Sequence, residues 1–244
     1  MKQVNSLMSR NNHLQKGFTI VEIMVALTIS LVLLAGVFQI YISSKESFRV
    51  QNELARLQEN QRIAVEFLQR DIRQAGFIPF GAAFIDNPIE VVDGNDGASD
   101  EIIVRYTSKK DCLGQDAPND IAVNRYFIDA EERLMCEGNG GGGAQPIADG
   151  VSNMQILLGS NTSFANDSIQ MPSADAYVNV NSLDGNLISI VSVRIALLVR
   201  SNDPIKKQAV EQPFTLLDTN VIPTDRLKRQ VVTTTVPLRN ANNV

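Results

Sequence analysis

One carboxylate stands inside one of the most apolar stretches of this 244-residue chain. The segment "KGFTIVEIMVAL", residues 16–27, carries Glu22 at the start of a long run of aliphatic side chains. A carboxylate costs on the order of 2.5–3.5 kcal/mol at the centre of a membrane-spanning helix, and less near the interface. Glu22 therefore needs a positively charged partner, and ion pairing is the chemistry that its position indicates.

Other reactive side chains are few. His13, the only histidine, lies in a basic N-terminal segment, so a chain that lost this segment would contain no histidine. Ser/His/Asp and Cys/His catalysis and the usual zinc sites would then be excluded, because they need an imidazole. The sequence also shows no pair of acids at a recognisable catalytic spacing. We therefore predict that the protein is not an enzyme and holds no cofactor or metal.

The two cysteines, Cys112 and Cys136, lie well downstream of the apolar stretch and lack the CxxC spacing of redox and metal sites. If this region is exported, an even count of two predicts one disulfide. It would close a loop of about 23 residues and contribute roughly 3 kcal/mol in the chain-entropy model. If the chain stays in the cytosol, two free buried thiols are expected instead.

Charge is distributed unevenly along the chain. Residues 1–17 carry three basic side chains and no acid, whereas the remainder has 19 basic and 27 acidic residues, so it is a poor general binder of nucleic acid. Residues 23–44 contain no charge and are long enough to span a bilayer, with the N-terminus predicted in the cytoplasm. An ordinary secretory signal does not fit, because the small residue Gly17 precedes the apolar core.

Beyond Ser44 the sequence becomes amphipathic, and we expect a single helix over residues 18–75, ending near Gly76 and before Pro79. Its charges are interpreted as a solvated surface, with pairs between Glu59 and Arg62 and between Glu66 and Arg70. One apolar stripe should pack on another element; its members are Val50, Leu54, Leu57, Ala64, Leu68 and Ile72.

The remainder of the chain alternates short apolar runs with turn residues, which is typical of an antiparallel sheet. Together with the preceding helix this predicts an α+β fold, with the helix covering one face of the sheet. The predicted strands are residues 101–106, 121–128, 133–136, 151–158, 188–200 and 230–238.

Three polar stretches have structural interpretations that are favoured over functional ones. Residues 93–101 fail the calcium-loop pattern and are expected to form a polar turn. Residues 138–143 lack the Gly-Lys-Ser/Thr that completes a phosphate loop and are expected to form a flexible surface loop. The basic residues Arg226, Lys228 and Arg229 are interpreted as a solvated strand edge rather than a DNA contact.

The segment "KGFTIVE", residues 16–22, resembles the class III signal of type IV pilins and type II secretion pseudopilins. The resemblance implies that a prepilin peptidase cuts between Gly17 and Phe18 and methylates the new N-terminus at Phe18. Glu22 would then pair with the N-terminal amine of a neighbouring subunit and set the stagger between subunits. Tip-most pseudopilins typically lack this glutamate, so its presence implies a position below the tip-most subunit.

Three further segments resemble minor pilins of the PilW family: "FLQRDIRQAGF" (67–77), "DGVSNMQILLG" (149–159) and "VVTTTVPLRN" (231–240). The resemblance implies a type IV pilin-like fold and a subunit that acts with other minor pilins, the major pilin and a PilY-type tip adhesin. Its expected roles are priming of pilus assembly, twitching motility, adhesion and DNA uptake. J-type pseudopilins of type II secretion share the same features and are the alternative. A hypothesis from a different functional class is that the head is itself an adhesin or an enzyme carried on a pilin stalk.

These inferences divide the chain into a leader (1–17), a long helix (18–75, membrane-spanning over about 20–42) and a β-rich head (76–244). The protein is expected to cross the bacterial inner membrane once, with its head in the periplasm, before it enters the pilus at or near the tip.

Overall fold

The computed structural model of the chain describes residues 17–81, 84–161, 173–182 and 189–240. The leader up to residue 16, with His13, lies outside the described residues, as does residue 188 at the start of one predicted strand. The chain divides into two compact units between Phe48 and Arg49, and this boundary lies within the long helix rather than at its end.

Helix α1 spans Ile20–Gln74, 55 residues, close to the expected range of 18–75. It ends where the sequence predicts, because Gly76 takes a positive φ of 72° that a residue with a side chain rarely adopts. The Gly76 amide then donates to the carbonyl of Arg105, at 2.9 Å, and turns the chain into the sheet.

The first unit is described from Gly17 to Phe48, and the apolar side chains of this part of α1 are exposed throughout. By length and composition this half of α1 can cross a membrane, and its apolar window has no buried residue. Exposure of so many large apolar side chains indicates that lipid or other helices surround them.

In the second unit, from Arg49 onward, α1 buries one face. Leu57, Ala64, Leu68 and Ile72 from the predicted stripe are buried, whereas Val50 and Leu54 are half-buried. Two carboxylates, Glu53 and Asp71, are buried on the same face. The expectation that the helix charges form a solvated surface is therefore wrong for Glu53.

The remaining helix charges are exposed, but one of the two expected pairs is not formed. Arg62 bridges Glu59 and Glu66 at 2.8 and 3.2 Å. Arg70 does not reach Glu66; it pairs with Asp71 at 3.2 Å and stacks over Phe67. The buried carboxylate is the stronger attractor because no water competes for it.

The first sheet is an antiparallel meander of five strands in the order β1-β2-β3-β4-β5. A short 3₁₀ turn, Pro118–Asp120, leads into its third strand. The strands are β1 (Ile89–Val92), β2 (Glu101–Thr107), β3 (Ile121–Ile128), β4 (Arg133–Gly138) and β5 (Gln145–Asp149).

The second sheet has four strands in the order β13-β8-β6-β7, and two small hairpins pair β9 with β12 and β10 with β11. A second 3₁₀ turn, Val180–Ser182, follows β7. The strands are β6 (Val151–Asn161), β7 (Ala176–Val178), β8 (Ser189–Arg200), β9 (Val210–Glu211), β10 (Phe214–Leu216), β11 (Thr219–Val221), β12 (Thr224–Asp225) and β13 (Arg229–Pro237).

One hydrophobic core joins the buried stripe of α1 to both sheets. It contains Leu68 and Ile72 from the helix, Ile102 from the first sheet and Ile156 and Ile195 from the second. A smaller cluster around Leu216 lies under the β10–β11 hairpin, against Ala196 and Leu198 of β8. The expected α+β architecture, a long helix on antiparallel sheet, is therefore observed.

Candidate functional site

The N-terminal site begins with a capping box at the start of α1. The backbone amide and the hydroxyl of Thr19 donate to Glu22 Oε2 at 2.9 and 3.0 Å. The Glu22 amide donates back to the Thr19 hydroxyl at 3.2 Å. Thr-x-x-Glu before an apolar run is a recognised sequence signature of this motif, and the sequence interpretation of Glu22 missed it.

Both Phe18 and Glu22 are exposed, and a shallow groove of about 380 Å³ runs past them along one face of the helix. Ala26 and Ser30 follow at intervals of four residues, so the Glu22 face carries small side chains that allow another helix to approach closely. The recorded hydrogen bonds of the carboxylate use Oε2, which leaves Oε1 able to accept from a partner.

A cation for Glu22 is not found within the described residues, since the ion pairs there join other residues. The α-amine of Phe18, the predicted partner, exists only after the chain is cut at Gly17. Gly17 and Phe18, on either side of the predicted cut, are exposed, and a side chain at Gly17 would meet no atom within 4 Å.

A second site fixes the end of α1 to the first sheet through Asp71. Its Oδ2 accepts from the Tyr126 hydroxyl at 2.5 Å and from Asn124 Nδ2 at 2.7 Å. The same amide nitrogen reaches the Tyr106 hydroxyl oxygen at 3.1 Å. Asp71, Asn124 and Tyr126 are fully buried, so water cannot replace these bonds.

The surroundings of the two tyrosines favour their neutral, donating form. Burial, and then the nearby Asp71 carboxylate, raise the pKa of Tyr126 far above its ordinary value. The same two causes raise the pKa of Tyr106. Both hydroxyls therefore favour the protonated form, which can donate a hydrogen bond.

The disulfide between Cys112 and Cys136 lies beside this network. The Cys112 amide donates to Asn124 Oδ1 at 2.9 Å, and Cys136 is the β4 partner of Tyr126 on β3. The covalent bond thus holds the loop after β2 against β4, and the Cys112 amide holds it to β3, the strand that carries the partners of Asp71.

The loop that carries Cys112 is organised by a buried aspartate, Asp111. Its Oδ1 accepts from the amides of Leu113 and Gln115, and its Oδ2 accepts from the amide of Gly140 at 2.9 Å. A Cβ at Gly138 would overlap the Asp111 carboxylate. Residues 138 and 140 therefore pack against this loop, so the expected surface loop is wrong for these two residues, whereas residues 141–143 are exposed.

Glu53 anchors the second sheet as Asp71 anchors the first. Its Oε2 accepts from the amides of Asn202 and Asp203 at 3.1 and 3.0 Å, in the turn after β8. Glu53 is 3% exposed. At the other side of this turn Arg229 is buried against Asp225, so the basic cluster is solvated only at Arg226 and Lys228.

The polar turn before β2 contains a further buried carboxylate, Asp100. Its two oxygens accept from the amides of Gly94 and Ile156 at 2.9 and 2.7 Å, which ties the turn to β6. Burial raises the pKa of Asp100 to about 6, and the nearby Asp93 acts in the same direction while the two amides oppose it. No group of three potential metal ligands occurs among the described residues.

Comparison with known proteins identifies the chain. A prokaryotic N-terminal methylation motif matches residues 12–38, and the family of Type IV Pilus-assembly protein W, PilW, matches residues 121–240. The chain is a type IV pilin of the PilW family. The second match runs from β3 to the residues just after β13, and the first contains both Gly17 and Glu22.

The remaining comparisons add little. No curated protein matches the chain. A type IV-like pilin from Thermus thermophilus shares 14% sequence identity over 76% of this chain and 97% of its own, with a TM-score of 0.47. Membership of the PilW family implies a structural role and partnership with other pilins and with prepilin peptidase. The apolar half of α1 accords with membrane anchoring.

Proposed function

We propose that this PilW-family pilin is a minor subunit that primes assembly of a type IV pilus and lies at or near its tip, below the tip-most subunit. The observation that carries the proposal is the presence of two matches on one chain. A methylation motif covers residues 12–38 and the PilW family covers residues 121–240. The proposed partners are the major pilin, other minor pilins and a PilY-type adhesin, and the proposed roles are twitching motility, adhesion and DNA uptake.

Processing is the first step of this proposal. Prepilin peptidase cuts between Gly17 and Phe18 and methylates the Phe18 amine, which leaves the N-terminus cationic. Intact-mass spectrometry of the membrane-extracted protein, with and without co-expressed peptidase, tests this step. The expected product lacks residues 1–17 and carries one added methyl group; an uncut chain in the presence of active peptidase contradicts it.

Assembly is the second step, and here Glu22 exchanges partners. In the single chain the carboxylate is held by Thr19, and in the filament it also meets the Phe18 amine of a neighbour. Glu22→Gln keeps an oxygen that can complete the capping box but removes the charge, whereas Glu22→Ala removes both. If pairing is ionic, both variants fail to co-assemble with partner pilins; normal co-assembly of the Gln variant would show that capping alone matters.

Pilus counts test the function itself. A deletion strain should carry few surface pili, and the wild-type gene should restore them while the Glu22→Ala gene does not. The measurement is the amount of major pilin in the sheared surface fraction relative to the whole cell. A strain with normal pili but impaired export of a secreted protein would instead assign the chain to a type II secretion system.

A further inference from the structure

The longest edge strand in the described part of the chain is β13, and its outer edge is unpaired. It contains nine residues and pairs with β8 alone. The other sheet edges are short or interrupted: β1 has four residues, β7 has three, and β5 carries Pro146 and a register shift. Proteins normally protect long edges with such features, because an unpaired edge binds other strands.

The hydrogen bonds at the two ends of β13 define which backbone groups face outward. The Ser201 amide donates to the Lys228 carbonyl, and the Leu238 amide donates to the Val191 carbonyl, both at 2.8 Å. In an antiparallel pair such bonded residues recur at every second position. Even-numbered residues from Lys228 to Leu238 therefore bond to β8, with no register shift between the ends.

The odd-numbered residues direct their amides and carbonyls away from β8. Arg229 is buried and Pro237 has no amide, which leaves the amides of Val231, Thr233 and Thr235 facing outward; the Val231 side chain is half-buried against the cluster around Leu216. No hydrogen bond to these three amides is recorded within the described residues. The side chains of Thr233 and Thr235 are exposed, so a further strand could pair with this edge without displacing the core.

A groove of about 330 Å³ lies beside this edge, between α1 and Val232 of β13. Gln61 and Gln69 line it, and Gln69 Nε2 reaches the Thr234 hydroxyl at 2.5 Å. The side-chain oxygen of Gln61 is buried and has no hydrogen-bond partner. A buried acceptor without a donor is unfavourable by about 1–3 kcal/mol, and a polar group from a bound segment would satisfy it.

Charge indicates the chemistry of the occupant. In the last turn of α1, Arg73 donates to the amide oxygen of Gln69 at 3.4 Å and forms none of the ion pairs found in the described residues. Arg239 has no ion pair among those recorded in the described residues, and its neighbour Asn240 contacts the Ala75 carbonyl near the end of α1. Arg239 directly precedes Asn240, and Arg73 lies two residues before Ala75, so the contact between Asn240 and Ala75 joins the two segments that carry these arginines.

We propose that β13 is a docking edge for an extended segment of a partner protein, which adds a strand to the second sheet and places a carboxylate beside Arg73 and Arg239. Main-chain hydrogen bonds to Val231, Thr233 and Thr235 supply the binding, and the acidic residue fixes direction. The proposal adds a contact surface to the PilW-family subunit, and it holds whether or not the chain primes a pilus.

Proline substitution gives a test with a matched control. Thr233→Pro removes an outward amide and should leave the fold intact, because proline is tolerated where the edge amide faces solvent. Thr233→Val keeps that amide. Thr234→Pro removes an inward amide and should lower the melting temperature, whereas Thr233→Pro should not; the reverse order would overturn the assignment of the edge.

The binding probe is a labelled peptide of about ten residues that alternates valine with threonine and begins with two glutamates, added to the mature full-length chain in detergent micelles. Fluorescence anisotropy should show saturable binding that Thr233→Pro weakens at least about tenfold and Thr233→Val leaves unchanged. A lysine-headed peptide should bind more weakly. No saturable binding, equal binding to the Pro variant, or self-association of the chain abolished by Thr233→Pro would each overturn the proposal.

Discussion

Removal of the Asp71 carboxylate should destabilise the head far more than removal of any exposed charge on the same helix. Asp71→Ala deletes the acceptor for Tyr126 and Asn124, both of which are fully buried. Each orphaned donor then loses its hydrogen bond without gaining water. The free energy of unfolding is expected to fall by about 3–5 kcal/mol.

The network also predicts non-additivity. Tyr126→Phe removes the 2.5 Å hydrogen bond to a charged acceptor and should cost about 2 kcal/mol. In the double variant the hydroxyl that Asp71→Ala would orphan is already absent. The double variant should therefore lose about 1–2 kcal/mol less stability than the sum of the losses in the two single variants.

Pulse proteolysis in a urea series is a suitable assay, because it reports the folded fraction of the head while detergent holds the apolar half of α1. Glu66→Ala is the matched control. Glu66 lies on the same helix, but its side chain is 69% exposed, so its loss should change stability by less than about 0.5 kcal/mol. It should also be additive with Tyr126→Phe. Additive losses for the Asp71 and Tyr126 pair, within 0.5 kcal/mol, would refute the reasoning.

Three further predictions concern the other anchors of the head. Glu53→Ala leaves two backbone amides without an acceptor and should lower the free energy of unfolding by about 2–4 kcal/mol, measured by the same proteolysis series. Changing both Cys112 and Cys136 to Ser should cost roughly 3 kcal/mol, and a loss below 1 kcal/mol would indicate that the loop is held by Asp111 alone. Because burial raises the pKa of Asp100 from 3.8 to about 6, the folded state binds this proton more tightly; the resulting stability is full below pH 4 and is lost as the pH rises through 6. Urea midpoints at pH 4, 5, 6 and 7 should show this dependence in the wild type and lose it in Asp100→Asn, and identical pH profiles would contradict the prediction.

Sequence patterns predicted the elements that depend on neighbouring residues, namely the longer strands and the end of the helix. The strand over residues 121–128 agrees with β3 at both ends, and the helix stop at Gly76 agrees with the observed positive φ. The short strands β1 and β5 and the small hairpins were missed. They have two to five residues each, and β5 contains Pro146, so neither alternation nor composition distinguishes them from loops.

The buried carboxylates could not be predicted, because their partners are remote in sequence. Glu53 contacts amides about 150 residues later, and Asp71 contacts residues more than 50 positions later. A helix charge between exposed neighbours is usually solvated. Asp71 lies in the segment that resembles PilW, residues 67–77, but its contacts with β3 are visible only in the structure.

The two buried carboxylates of α1 divide the support of the head between its two sheets. Glu53 holds the turn after β8 in the second sheet, and Asp71 holds β3 in the first. They are 18 residues apart, about 27 Å along a helix, so the head is fixed to α1 at two separated levels. Hydrophobic burial between these levels is non-directional, whereas hydrogen bonds to backbone amides at one level and to Tyr126 at the other are directional and oppose rotation and sliding of the helix. A force on the part of α1 that lies in the second unit would therefore act on both sheets through these two anchors.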